Sequence, residues 1–102
     1  MPCTRLPFPA LPWIAGPHAL ERKKSVEGAA GTLLEFAPGF SDPNWCERGH
    51  AGYVLSGALR LELQDAGTQL EAGEGFVIDP GTAHRATNPG TEPVRLFIMS
   101  WG

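Results

Sequence analysis

At 102 residues, the chain has room for one domain with a modest core and none for two. Apolar residues make up 42% and charged residues 19%, which excludes a disordered chain. The net charge of −3 and a lone basic run, Arg22-Lys23-Lys24, flanked by Glu21 and Glu27, lack the one-signed surface that a phosphate backbone requires, so no nucleic-acid partner is expected.

The chain opens on Met1-Pro2-Cys3-Thr4-Arg5, without the charged and then apolar form of a signal peptide. No apolar run approaches the roughly 18 residues of a membrane span. Cys3 and Cys46 lie far apart and suggest no disulfide framework. A soluble cytoplasmic protein with no membrane partner is the expectation. Residues 1–18 then read as an arm, because Leu6-Pro7-Phe8-Pro9-Ala10-Leu11-Pro12-Trp13 removes backbone donors and biases the residue before each proline toward extended geometry. Phe8, Leu11 and Trp13 should carry it onto an apolar surface.

Residues 19–102 read as a single domain of short strands. The candidates are 19–26, 31–37, 52–55, 58–63, 68–71, 75–78, 84–87 and 94–101, separated by Glu27-Gly28, Pro38-Gly39, Ser56-Gly57, Ala66-Gly67, Pro80-Gly81 and Pro89-Gly90. Turns at this spacing between apolar strands predict an antiparallel sandwich or barrel, and no segment reads as a helix. In Leu59-Arg60-Leu61-Glu62-Leu63 the leucines share one face and the charges the other, the period of a half-buried strand. In Val94-Arg95-Leu96-Phe97-Ile98-Met99-Ser100-Trp101 both faces are apolar beyond Arg95, so one should fill the barrel and the other needs cover from the arm or a second subunit.

Two segments set side chains capable of chemistry beside glycine-punctuated strands. In the later one, Gly73, Gly81, His84 and Asn88 fall in register with glycine, five residues, proline, one residue, glycine, two residues, histidine, three residues, asparagine; Asp79 stands at the proline position and Pro80 one place later. The earlier one runs Cys46-Glu47-Arg48-Gly49-His50 through Gly57. Together they resemble the two motifs of the cupin family, and the resemblance covers roughly Gly31 to Trp101. It implies an all-β fold, a double-stranded β-helix or jelly-roll barrel, with His84 pointing inward as a metal ligand. Such barrels commonly pair through exchanged terminal strands, so a homodimer is expected.

The first motif departs from the family's His-x-His and glutamate. Counted back from Gly57, His50 takes the glutamate position and Cys46 and Asn44 the histidine positions; counted forward from Gly39, the histidine positions become Trp45 and Glu47. Either Cys46 or Glu47 faces the interior, since adjacent strand residues point to opposite faces. A set of Cys46, His50 and His84 would give three protein ligands and an open position, as catalytic metals need. Imidazole and thiolate suit Zn, Fe, Ni or Cu, and a carboxylate admits Mn, so one divalent transition metal is the expected cofactor.

Three functions compete at this stage. The first is a mononuclear metal enzyme of oxygenase, isomerase or lyase type acting on a small molecule. The second is a metal-independent binding or sensing module with a pocket lined by Phe36, Trp45, Val54, Phe76 and Ile98. The third is a structural dimer, against which His50 and His84 argue, since interior imidazoles are awkward in an apolar barrel; without a metal, Cys46 would be a small buried hydrophobe and the histidines hydrogen-bonded polar groups. His18 reads as a loop histidine, Tyr53 as facing away from His50, and Arg48 and Arg85 as solvated surface rather than anion-binding groups. Ala72-Gly73-Glu74-Gly75 lacks the lysine and helix of a phosphate loop.

Overall fold

Nine strands account for nearly all regular structure in the computed structural model, which describes residues 2–102. They are β1 (Ile14–Ala15), β2 (Glu21–Ser25), β3 (Gly31–Phe36), β4 (Gly49–Ser56), β5 (Ala58–Leu63), β6 (Gly67–Glu71), β7 (Gly75–Ile78), β8 (His84–Thr87) and β9 (Val94–Trp101). A six-stranded sheet has the order β1-β2-β3-β9-β4-β7 and a three-stranded sheet the order β6-β5-β8, with every pairing antiparallel. The result is the all-β jelly-roll barrel that the two motifs imply.

The alternation in β5 and β9 sets the core. Leu59 and Leu61 project inward from β5, and Val94 and Leu96 from β9, all buried. Val54 joins them, and Phe36 stacks on Phe40 with ring centroids 4.1 Å apart. Each such side chain contributes about 1.5–3 kcal/mol by leaving water. Two glycines are needed where they stand. Gly52 lies opposite Phe76, whose ring occupies the space a Cβ would fill, so a side chain at position 52 would displace the phenyl. Gly57, at φ +78°, turns the chain from the large sheet into the small one against the Pro93 carbonyl.

The motif asparagine, Asn88, is a structural clamp. Its buried amide donates to the Phe36 carbonyl at 3.0 Å and the Glu92 carbonyl at 2.8 Å, and its oxygen accepts from the Gly90 N–H at 2.9 Å. It thereby ties the end of β8 to β3 across the barrel and closes the turn that leads to β9.

The arm shows two features beyond the expected extended run. Phe8–Ala10 forms a 3-10 turn, which Pro7 and Pro9 permit because a first turn needs no donor there. Ile14 and Ala15 pair with Lys23 and Arg22, adding a short edge strand to the large sheet. Phe8 does cover apolar surface, its ring 6.0 Å from that of Phe97 on the outer face of β9. Trp13 instead lies beneath cations, with Arg22 at 4.3 Å and Lys24 at 4.9 Å from its ring. Met99 and Trp101, further along the same face, stay exposed.

Candidate metal centre

The site forms at the seam between the two sheets. His84 opens β8 in the small sheet, opposite Leu63. On its other side it exchanges backbone bonds with Cys46, whose N–H reaches the His84 carbonyl at 2.8 Å while the His84 N–H reaches the Cys46 carbonyl at 2.9 Å. Directly opposed antiparallel residues project to one face, so thiol and imidazole turn inward together. The chain then crosses through Glu47, Arg48 and Gly49 to the large sheet, where His50 pairs with Ser100 of β9 and Ile78 of β7. A separation of four residues thus brings Cys46 and His50 to the same interior, with Cys46 Sγ 3.5 Å from His50 Nε2.

Both imidazoles are held at Nδ1 and present Nε2. His84 Nδ1 donates to the Thr82 carbonyl at 2.8 Å, which in the neutral ring leaves the lone pair on Nε2. That Nε2 is buried, and among the described residues nothing bonds to it. His50 Nδ1 lies 2.7 Å from Ser100 Oγ. The rings meet edge to face with centroids 4.9 Å apart. Burial, then His84, then the Arg48 guanidinium hold the His50 imidazole below its ordinary pKa of 6.5, favouring the neutral form that binds metal.

Cys46 Sγ and the two imidazole nitrogens all lie within 4.8 Å of one another. A tetrahedral ion with bonds of about 2.0–2.3 Å needs donors about 3.5 Å apart, so small side-chain rotations separate this cluster from a ligand set. Of the other residues in the first motif, Asn44, Trp45 and Glu47 are exposed. Cys46 therefore faces the interior and Glu47 solvent, because the bridge to His84 sets the facing and not a regular strand.

The cluster closes one part of a cavity of about 150 Å³. Phe36, Phe76 and Ile98 border it as expected, but Trp45 and Val54 do not. Trp45 lies on the surface beneath the Arg85 guanidinium, 4.4 Å from its ring, and Val54 is wholly packed in the core. Leu34, Phe40, Leu59, Leu61, Ile78 and Leu96 complete the apolar wall; the period of β5 already placed Leu59 and Leu61 on one inward face. Glu21, Asp42 and Arg85 also border the cavity. Burial, and then the Asp42 carboxylate, push the Glu21 carboxyl up, against the pull of His18 and Lys23. Nothing in the local sequence announced Glu21, a charged residue at a strand start, or Ser100 as the partner of His50.

The remaining candidates fall where their neighbours put them. His18 is a loop histidine whose Nδ1 accepts the Leu20 N–H at 3.1 Å and whose ring rests edge-on against Phe40. Tyr53 is exposed on the outer face of β4, away from His50. Arg48 is exposed, whereas Arg85 is half-buried and pairs with Glu62 at 3.0 Å.

The sequence matches the cupin domain family over residues 32–100. The chain belongs to the cupin family. Among solved structures this cupin is similar to the polyketide cyclase RemF from Streptomyces resistomycificus, at TM-score 0.82 and 20% identity over 97% of this chain and 79% of that one. It is similar to KdgF from Halomonas sp., at 0.70 and 23% over 89% and 88%. Drosophila melanogaster CENP-C, solved bound to CAL1, aligns at 0.74 and 15% over 88% and 79%. At these identities the likeness is one of fold. No curated protein matches the sequence. Among the described residues no helix is long and apolar enough to cross a membrane.

Proposed function

We propose that this cupin holds one divalent transition-metal ion on Cys46, His50 and His84 and presents it to a small molecule in the adjoining cavity. The observation that carries the reading is the buried His84 Nε2, a lone pair aimed into the cluster with no partner. An acceptor left so costs about 1–3 kcal/mol, which binding a ligand or ion recovers. A soft thiolate with two imidazoles favours Zn, Fe, Ni or Cu over Mg or Ca. When bound, such an ion supplies a Lewis acid that polarises an oxygen atom of the small molecule. The protein's own part is to fix both rings through Thr82 and Ser100 and to exclude water with the apolar wall. Reactions of the oxygenase, isomerase or lyase type are the activities this arrangement serves. A second reading, metal-independent binding of a small molecule, is supported by the same apolar cavity.

Metal per chain, measured by elemental mass spectrometry on untagged protein reconstituted under reducing conditions, tests the proposal. Near-stoichiometric metal is expected, lost in His84→Ala, reduced at least tenfold in affinity in Cys46→Ala and unchanged in Glu47→Ala. Metal that survives Cys46→Ala but not Glu47→Ala overturns the ligand set. Absence of metal after reconstitution leaves the metal-independent reading.

A further inference from the structure

The outer face of the large sheet carries an apolar patch that the arm covers only in part. Register sets its rows, because directly opposed residues of antiparallel strands share a face. One row runs from β3 to β7 through Gly31, Met99, Ala51 and Val77, and the next through Leu33, Phe97, Tyr53 and Gly75. Neither row holds a charge, and the charged pair that adjoins them, Glu35 and Arg95, is matched within the chain. The arm's Phe8 and Leu6 reach the β3 side alone, at Phe97 and Gly31. Val77 is left 70% exposed, Tyr53 48% and Met99 43%, and Trp101, one row further along β9, 41%.

The first row alternates small, large, small, large. Such a row is complementary to its own reverse, and a twofold axis lying along the strands between β9 and β4 reverses it. With two copies laid face to face in this way, Met99 meets the partner's Ala51, and Val77 meets the partner's Gly31. The surface is hollow where Val77 would arrive, since Leu6, Ala29, Ala30, Gly31 and Phe97 line a groove there. In the second row the same operation sets Phe97 against Tyr53 and Leu33 against Gly75. At about 150–250 Å² for a large side chain fully exposed, the four exposed residues offer on the order of 400 Å². A homodimer face of about 800 Å² per partner, about 65% apolar, needs roughly 500 Å², most of which these four supply.

We propose that two copies of this chain pair face to face through this patch, with the twofold axis along β9 and β4 and without exchange of strands. The terminal strand β9 is paired on both sides and β1 on β2, all within one chain, so the barrels meet complete. A second copy is the occupant because the row fits its own reverse and its area suits a homodimer. The pairing is independent of the metal centre, whose ligands lie on the inner side of the sheet.

Sedimentation equilibrium of the full chain under reducing conditions tests the proposal. A dimer is expected at about 10 μM chain. Val77→Lys, which would set an ammonium against the apolar groove, should weaken it at least about a hundredfold; Gln69→Lys, exposed on the small sheet, should leave it unchanged. A second measurement reads the geometry and keeps the proposal exposed to failure should Val77→Lys not fold. In a chain with Cys3→Ser, Ala30→Cys together with Val77→Cys should be joined into covalent dimers by bismaleimidoethane, and Val77→Cys alone should not. Within one chain three strand spacings, about 14 Å, hold these two positions apart, whereas in the proposed pair each faces the other's copy. A chain still monomeric at about 100 μM overturns the proposal, as does a dimer that Val77→Lys leaves intact. Covalent dimers from Val77→Cys alone, as abundant as from the double variant, overturn the axis.

Discussion

His84→Leu should leave the metal-free protein as stable as before or more so, and should remove its stabilisation by metal, so that the two proteins exchange rank when metal is added. The substitution gives up one hydrogen bond, from Nδ1 to the Thr82 carbonyl. Thr82 is exposed, so its carbonyl can return to water and the net loss is about 1 kcal/mol. Against this, a buried acceptor without a partner disappears, worth about 1–3 kcal/mol, and an apolar side chain fills its place among apolar neighbours. The balance is a gain of about 0–2 kcal/mol, or up to roughly 16 °C in Tm for a domain of this size. Zinc at a hundredfold excess over Kd should stabilise the original protein by about 2.7 kcal/mol and the variant by nothing. Urea unfolding at pH 7.5 under reducing conditions, with and without zinc, reads all four stabilities. A metal-free variant destabilised by more than about 2 kcal/mol would refute the reasoning, since it would mean that Nε2 is already satisfied. Equal zinc stabilisation of both proteins would refute the ligand assignment.

Two further predictions concern the barrel that holds the site. Glu35 on β3 is nearly buried on the outer face between Arg22 at 2.6 Å and Arg95 at 2.7 Å, and bonding to Arg22 first, then Arg95, holds its carboxyl below the ordinary 4.5 despite burial. Because the folded pKa is depressed, this stabilisation is present above about pH 4.5 and is lost as pH falls through the folded pKa. Glu35→Gln should cost about 1–3 kcal/mol at pH 7, a difference that narrows below pH 4.5 in denaturation titrations; a pH-independent difference would contradict the pairing. Asn88→Ala removes three hydrogen bonds and leaves the Phe36 carbonyl without its amide donor, so Tm should fall by about 12–24 °C from a loss of about 3 kcal/mol; a drop under 5 °C would show that the clamp is dispensable.

Strand positions were legible because half-buried strands carry a period of two and glycine or proline marks their ends. Of the predicted strands, 58–63 and 75–78 match the structure end for end, and 84–87 and 94–101 do as well. The first motif was harder. β4 begins at Gly49 rather than at 52, which places His50 inside a strand with Ser100 as its cross-strand neighbour. The arm's short strand was hidden because Ile14 and Ala15 have no alternation of their own, and only the edge of β2 gives them a partner.

The sequence by itself determined that the chain is an all-β barrel and that His84 sits at the start of a strand, because turn chemistry and alternation act over a few neighbouring residues. It put Cys46 in the ligand set but left open whether Cys46 or Glu47 faces the interior, since parity along a chain has no meaning until a partner strand sets the facing. Only the tertiary structure decided between them, through the paired backbone bonds of Cys46 with His84. The same holds for the carboxylates at the cavity. Glu21 and Asp42 border it from a strand and a loop far apart in sequence, and burial, a property of the folded chain, is the largest cause of the raised Glu21 pKa.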